Sequence, residues 1–147
     1  MNWDVFFLLF SFEDVHNGLK YVLYNTRRNY DQAEAKCSHE GGTLAMATDR
    51  DTFNVLLNIL NAYVNEGGSG SVAYLDGSYD TGFDDWLCVN TQGSCPATMP
   101  WDYGPSNTQL RRCVAVDWDY GYGVVNTKCF IRFLAICQFT MSEIHSF

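Results

Sequence analysis

Six cysteines, Cys37, Cys88, Cys95, Cys113, Cys129 and Cys137, constrain this chain more than any other feature. They make an even number in a small acidic protein that contains no C-x-x-C. Structural zinc wants paired cysteines or clustered histidines, and His16, His39 and His145 stand apart in sequence. A disulfide framework fits better, which points to an oxidising, extracellular compartment. Spacing alone does not select the pairing. The segment "CVNTQGSC", from Cys88 to Cys95, is nevertheless short enough for a hairpin closed by one bond.

With 147 residues the chain is sized for one domain that buries a proper core without a metal to hold it. Its net charge of −8 argues against nucleic acid or an anionic membrane as partner, since both need a basic face. No apolar run approaches the ~20 residues that span a bilayer. Aromatics reach 16%, more than such a core requires, so some are expected at the surface as recognition groups. At the N-terminus, Val5 to Phe10 is apolar, but Asp4 sits where a signal peptide carries a basic residue. Residues 1–17 therefore read either as a weak or truncated signal or as an N-terminal strand.

"LKYVLY", residues 19 to 24, reads as a strand broken by "NTRRN". Asn29 with Gln32 forms a capping-box pattern, Tyr30, Ala33 and Cys37 share a helical face, and Gly41-Gly42 ends that helix. "TLAM" is a short extended link, and Asp49 or Asp51 starts a second helix. There Phe53, Leu56, Leu57, Leu60 and Val64 recur at helical spacing until "NEGGSGS" stops them. "VAYLDG" reads as a short buried strand leading into an acidic, turn-rich loop, "SYDTGFDDW". From Cys88 to about Leu110 no periodicity survives, and all three prolines fall there. A connection that long without its own secondary structure is functional when ordered. "RCVAVDW" and "KCFIRFLAICQF" then read as strands around "DYGYGVVNT". Two helices followed by a sheet with a long irregular loop predict an α+β domain over residues 18–140, with residues 141–147 as a tail.

The order of strand, "YDQAEAKC", Gly-Gly, second helix, long loop, "RRCVAV", "NTKC" and "FLAICQF" resembles the C-type lectin-like domain, over roughly residues 18 to 139. The resemblance implies a small mixed or antiparallel sheet beside two helices. It also implies the pairs Cys37–Cys137 and Cys113–Cys129, leaving Cys88–Cys95 as an additional local bridge. "VAYLDG" occupies the place of the family's Trp-Ile-Gly-Leu strand, and "PWDYGPSN" that of its Trp-x-x-Gly-x-Pro-Asn segment.

Sugar-binding members hold a calcium ion with side-chain oxygens that also receive the sugar's hydroxyls. At the matching positions this chain has Pro105-Ser106-Asn107, where the first ligand has become proline. Arg111 replaces the acidic residue before the inner cysteine, and Val124-Val125-Asn126 replaces Trp-Asn-Asp. Asn107 and Asn126 alone remain as ligands of that ion, two neutral amides beside an arginine, which compensates a divalent cation poorly. The resemblance therefore implies that the sugar-coordinating calcium is lost. Asp76, Asp80, Asp84 and Asp85 crowd the region where the family places an auxiliary calcium, although Asp and Gly also simply make turns.

The function expected is an extracellular recognition module for a protein or glycan ligand. Its expected contact residues are Trp101, Asp102, Tyr103, Pro105, Ser106, Asn107, Arg111, Trp118, Asp119, Tyr120, Tyr122 and Asn126. The alternatives are a carbohydrate-binding lectin, calcium-dependent or working by aromatic stacking with several copies for avidity, and a structural, inert subunit. No G-x-S-x-G, H-E-x-x-H or phosphate-cradling glycine loop occurs, which argues against an enzyme.

Overall fold

The computed structural model describes residues 12–102 and 112–141. The apolar run Val5 to Phe10 lies outside those residues. Nine strands and two α-helices occur among them: β1 (Phe12–His16), β2 (Leu19–Arg28), α1 (Tyr30–His39), β3 (Thr43–Leu44), α2 (Arg50–Asn65), β4 (Val72–Asp80), β5 (Asp85–Cys88), β6 (Gly93–Ser94), β7 (Cys113–Asp117), β8 (Val125–Thr127) and β9 (Phe133–Thr140). A single 3-10 turn, Val89–Thr91, joins β5 to β6.

Local chemistry sets both helix starts. The Asn29 side chain accepts the Gln32 backbone N–H at 2.9 Å, and the Gln32 side chain accepts the Asn29 N–H at 3.0 Å, so two otherwise orphaned donors are satisfied reciprocally. Asp49 caps α2 by accepting from Thr52 N–H at 2.8 Å. Helix α1 stops where Gly41 turns left-handed, at φ 92°, a conformation that costs glycine nothing.

Strand β9 organises the sheet. It pairs antiparallel with β2 and β3 and parallel with β4, so the sheet is mixed. β4 continues the sheet to β5 and β7, and β7 to β8. β1 pairs with β2 from the outside. Side-chain alternation then divides the core in two. Leu134 and Ile136 of β9, Leu75 of β4 and Val114 and Val116 of β7 pack with Phe53, Leu56 and Leu60 of α2. Ala135 and Cys137, Tyr74 and Cys113 lie with Tyr30, Ala33 and Cys37 of α1. Each large apolar side chain so buried contributes roughly 1.5–3 kcal/mol.

Three elements differ from expectation. β2 runs on through "NTRR" to Arg28, which rejoins the β9 ladder opposite Phe133 after an irregularity that follows Tyr24. β4 extends to Asp80, and "SYDTGFDDW" is a β4–β5 hairpin. The last strand begins at Phe133, and Cys129 to Ile131 form a turn ahead of it.

All three bridges implied by the resemblance are formed: Cys37–Cys137, Cys113–Cys129 and Cys88–Cys95. The first closes a separation of 100 residues and the local one only 7. By chain entropy, replacing Cys37 and Cys137 together with alanine costs about 4–5 kcal/mol, against about 2 kcal/mol for Cys88 and Cys95. Urea unfolding of the two double variants is expected to show that order; equal losses would mean native-state packing, not loop closure, sets the cost.

Candidate functional site

The end of the domain that carries the long loop is built on a stem at residues 100–102. Val124 grips this stem with both backbone groups: its N–H donates to the Pro100 carbonyl at 2.8 Å, and its carbonyl accepts the Asp102 N–H at 3.0 Å. Gly123 makes the approach feasible. A Cβ there would stand 2.4 Å from the Pro100 carbonyl oxygen and 2.7 Å from the Asp102 nitrogen. Trp101 is half-buried, its ring 5.0 Å from that of the buried Trp86, so it anchors the stem. Asp102 is also half-buried. Tyr103, Pro105, Ser106, Asn107 and Arg111 lie outside the described residues.

The turn between β7 and β8 stands beside this stem and carries the exposed aromatics. Tyr122 is 78% exposed, Tyr120 48% and Trp118 40%. The Trp118 ring and the backbone at Tyr122 are tied to α2. The Trp118 indole N–H donates to the Asn61 side chain of α2 at 2.8 Å, and the Arg50 guanidinium donates to the Tyr122 carbonyl. Asp119 is exposed next to them. Asn126 sits half-buried on β8, opposite Val114.

The acidic residues are dispersed. Asp76 belongs to β4, within the strand read from "VAYLDG", and is 1% exposed. Its carboxylate accepts the backbone N–H groups of Val89 and Asn90 at 2.9 Å each and the Asn90 side-chain amide at 2.8 Å. It thus fixes the turn inside the Cys88–Cys95 loop. Burial raises its pKa, while these three donors pull it down. Asp80 accepts from Gly82 and Phe83 within the hairpin turn. Asp84 accepts the Tyr79 hydroxyl and Asp85 that of Ser94. Among the described residues no three His, Cys, Asp or Glu groups gather in a way that could hold a metal ion.

Beside β8 lies an open cleft of about 330 Å³. Asp117, Lys128, Ile131 and Phe133 line it together with Val125 and Thr127. Burial raises the Asp117 carboxylate above its ordinary range, and the Asp119 N–H that it accepts at 3.0 Å opposes this. Tyr120 and Asn126, both expected contacts, also line it; its other walls come from β4, β7, β8 and the approach to β9, which no local pattern brings together.

The chain is thus a disulfide-braced mixed sheet with a helix on either face and an aromatic-bearing loop end. Comparison gives this arrangement a name: the chain folds as a C-type lectin-like domain. Among solved structures, human lithostathine superposes with a TM-score of 0.73 at 15% identity, over 87% of this chain and 88% of its own. A Ca2+-dependent type II antifreeze protein in its Ca2+-free form gives 0.72 at 19% identity, over 87% and 97%. A complex of SPL-1 with GlcNAc gives 0.69 at 14% identity, over 86% and 91%. By sequence, the chain is 21% identical over 112 residues to mouse C-type lectin domain family 4 member A, covering 75% of this chain. It spans 44% of the length of that curated relative. No protein-family model matches the chain. Disulfide-rich domains of this fold are typical of extracellular proteins.

Replacing Gly123 with alanine is expected to push the stem off Val124. The loss should be on the order of 1–3 kcal/mol by thermal unfolding, with a red shift of tryptophan emission as Trp101 leaves Trp86. An unchanged emission spectrum would show that the stem holds without this contact.

Proposed function

We propose that the domain is a secreted recognition module that engages a protein or glycan ligand through its loop end, without the sugar-coordinating calcium. The observation that carries this is the exposed set Trp118, Tyr120 and Tyr122, with Trp118 tied to α2, beside a stem bound to the Val124 backbone. Tyrosine and tryptophan supply large contact area at little entropic cost, which is why they dominate binding hot spots. The same rings stack on sugar faces. Support for the absence of the ion comes from the chain's own chemistry. The matching ligand positions hold Pro105, Arg111, Val124 and Val125, and Asn107 and Asn126 offer no charge. The four aspartates Asp76, Asp80, Asp84 and Asp85 are each engaged within the fold, which supports a structural role for them rather than an auxiliary calcium site.

Thermal unfolding of the oxidised protein is expected to give the same Tm in EDTA and in millimolar calcium. An upward shift in calcium would mean that the native state binds the ion. The recognition surface is tested separately, with a glycan array and a panel of purified cell-surface ectodomains, both probed in EDTA. Whatever binds should lose about tenfold or more in affinity on Tyr122→Ala or Trp118→Ala; binding that ignores both changes places the surface elsewhere.

A further inference from the structure

The turn that follows β8 holds an aromatic ring out in solvent. Phe130 is 68% exposed, and the Lys128 ammonium lies 5.8 Å from its ring centre. The backbone that carries it is fixed at several points. The Tyr74 hydroxyl lies 2.8 Å from the Lys128 carbonyl and 2.5 Å from that of Ile131, so one buried phenol holds both flanks of the turn. Cys129 is bonded to Cys113 of β7, and its carbonyl accepts the Tyr30 N–H at 2.9 Å. A stiff turn therefore presents the ring, and binding through it costs little ordering of the backbone.

Cations gather at this end of the sheet. Arg132 is exposed two residues beyond Phe130, just ahead of β9. Arg27 is exposed at the end of β2, and a Cβ added to Gly70 would stand 3.6 Å from both its guanidinium and a Leu134 methyl group, which places it beside the start of β9. Arg28 is engaged with the Thr26 carbonyl at 3.1 Å. The ion pairs among the described residues are Lys20–Glu13 and Lys36–Glu40, so Arg27, Lys128 and Arg132 enter none of them. Asp117, which lines the same cleft as Lys128, and Asp31, in the first turn of α1, border the group. The acidic β4–β5 hairpin with Asp80, Asp84 and Asp85 stands at the far end of β4, roughly 25 Å along the strand. That is about three Debye lengths at physiological salt, so the net charge of −8 describes the whole chain and not this end.

A protein partner would have to supply a cavity for a ring that stands out from a turn. The headgroup layer of a bilayer admits an aromatic side chain without one, and anionic headgroups attract the cations beside it. A free anion would use the cations but leave the ring in water. We infer that residues 128–132, together with Arg27, form a peripheral docking surface for an anionic bilayer. The Phe130 ring enters the headgroup layer, and Arg27, Lys128 and Arg132 meet the lipid phosphates and carboxylates. This surface lies apart from Trp118 and Tyr122 and stands independently of the loop-end reading.

The test is co-sedimentation of the oxidised full chain with vesicles in EDTA. Phosphatidylcholine alone is compared with phosphatidylcholine carrying about 30% phosphatidylserine, at low salt and at about 0.5 M salt. Binding is expected on the anionic vesicles at low salt and should fall away at high salt. Arg132→Ala and Lys128→Ala should each weaken it about fivefold, and Phe130→Ser about tenfold, with thermal unfolding of each variant unchanged. Phe83→Ser, which removes a comparably exposed ring from the acidic hairpin, should bind like the parent. Absence of binding overturns the inference, and so does equal binding to neutral and anionic vesicles. Anionic binding that survives the Arg132 and Phe130 changes also overturns it, since another segment such as the apolar run Val5 to Phe10 then carries it. Capture on immobilised polyglutamate without vesicle binding overturns it as well, and identifies an acidic polypeptide as the partner. The loop-end reading fails separately, if binding in the ectodomain and glycan screens ignores the Trp118 and Tyr122 variants.

Discussion

The Cys37–Cys137 bond joins the last turn of α1 to β9, the strand on which β2, β3 and β4 all assemble. Both sulfurs are fully buried, in the layer that also holds Tyr74 and Cys113. Everything at the loop end is placed from there. β9 registers β4, β4 registers β7, and β7 presents the turn that carries Trp118, Tyr120 and Tyr122. A single bond across 100 residues thus fixes the geometry of a surface to which it contributes no atom.

Much of this was legible in the sequence because it depends on near neighbours. The capping box at Asn29 and Gln32 spans one turn, and the Asp49 cap reaches only to Thr52. The apolar period of α2 is likewise local, and it identified Phe53, Leu56 and Leu60 as core. The cysteine pairing came from likeness to a family, since spacing leaves several solutions open. The reading failed where long-range partners decide the outcome. Asp76 falls in a strand read as buried, but no local pattern names the donors that make its burial tolerable, which arrive from Val89 and Asn90 across the β4–β5 hairpin. "NTRR" looks like a break because its side chains are polar. The strand nevertheless continues, because Arg28 rejoins the β9 ladder opposite Phe133 beyond the irregularity after Tyr24.

The candidate site divides in the same way. Trp118, Tyr120 and Tyr122 were visible as aromatics interleaved with Asp and Gly, and the fold leaves them exposed. Trp101 carried the same signal but anchors the stem against Trp86, a partner named by no local pattern. Of the cleft beside β8, only Tyr120 and Asn126 were visible beforehand; its other walls are brought together by pairing between strands distant in sequence.

These arrangements bear on how such a domain keeps its loop end in shape. An ion organises a loop by gathering charged ligands, and a chain with Pro105, Arg111 and Val125 at those positions has given up most of the charge. Here the stem is held by two Val124 backbone hydrogen bonds, by the space that Gly123 leaves, and by the Trp101–Trp86 contact. Hydrogen bonds and ring contacts of this kind contribute roughly 0.5–1.5 kcal/mol each, and unlike a metal they do not depend on free ion concentration. They act at the stem, and the turn between β7 and β8 beside it, tied to α2 through Trp118 and Asn61, carries the exposed aromatics on the same scaffold.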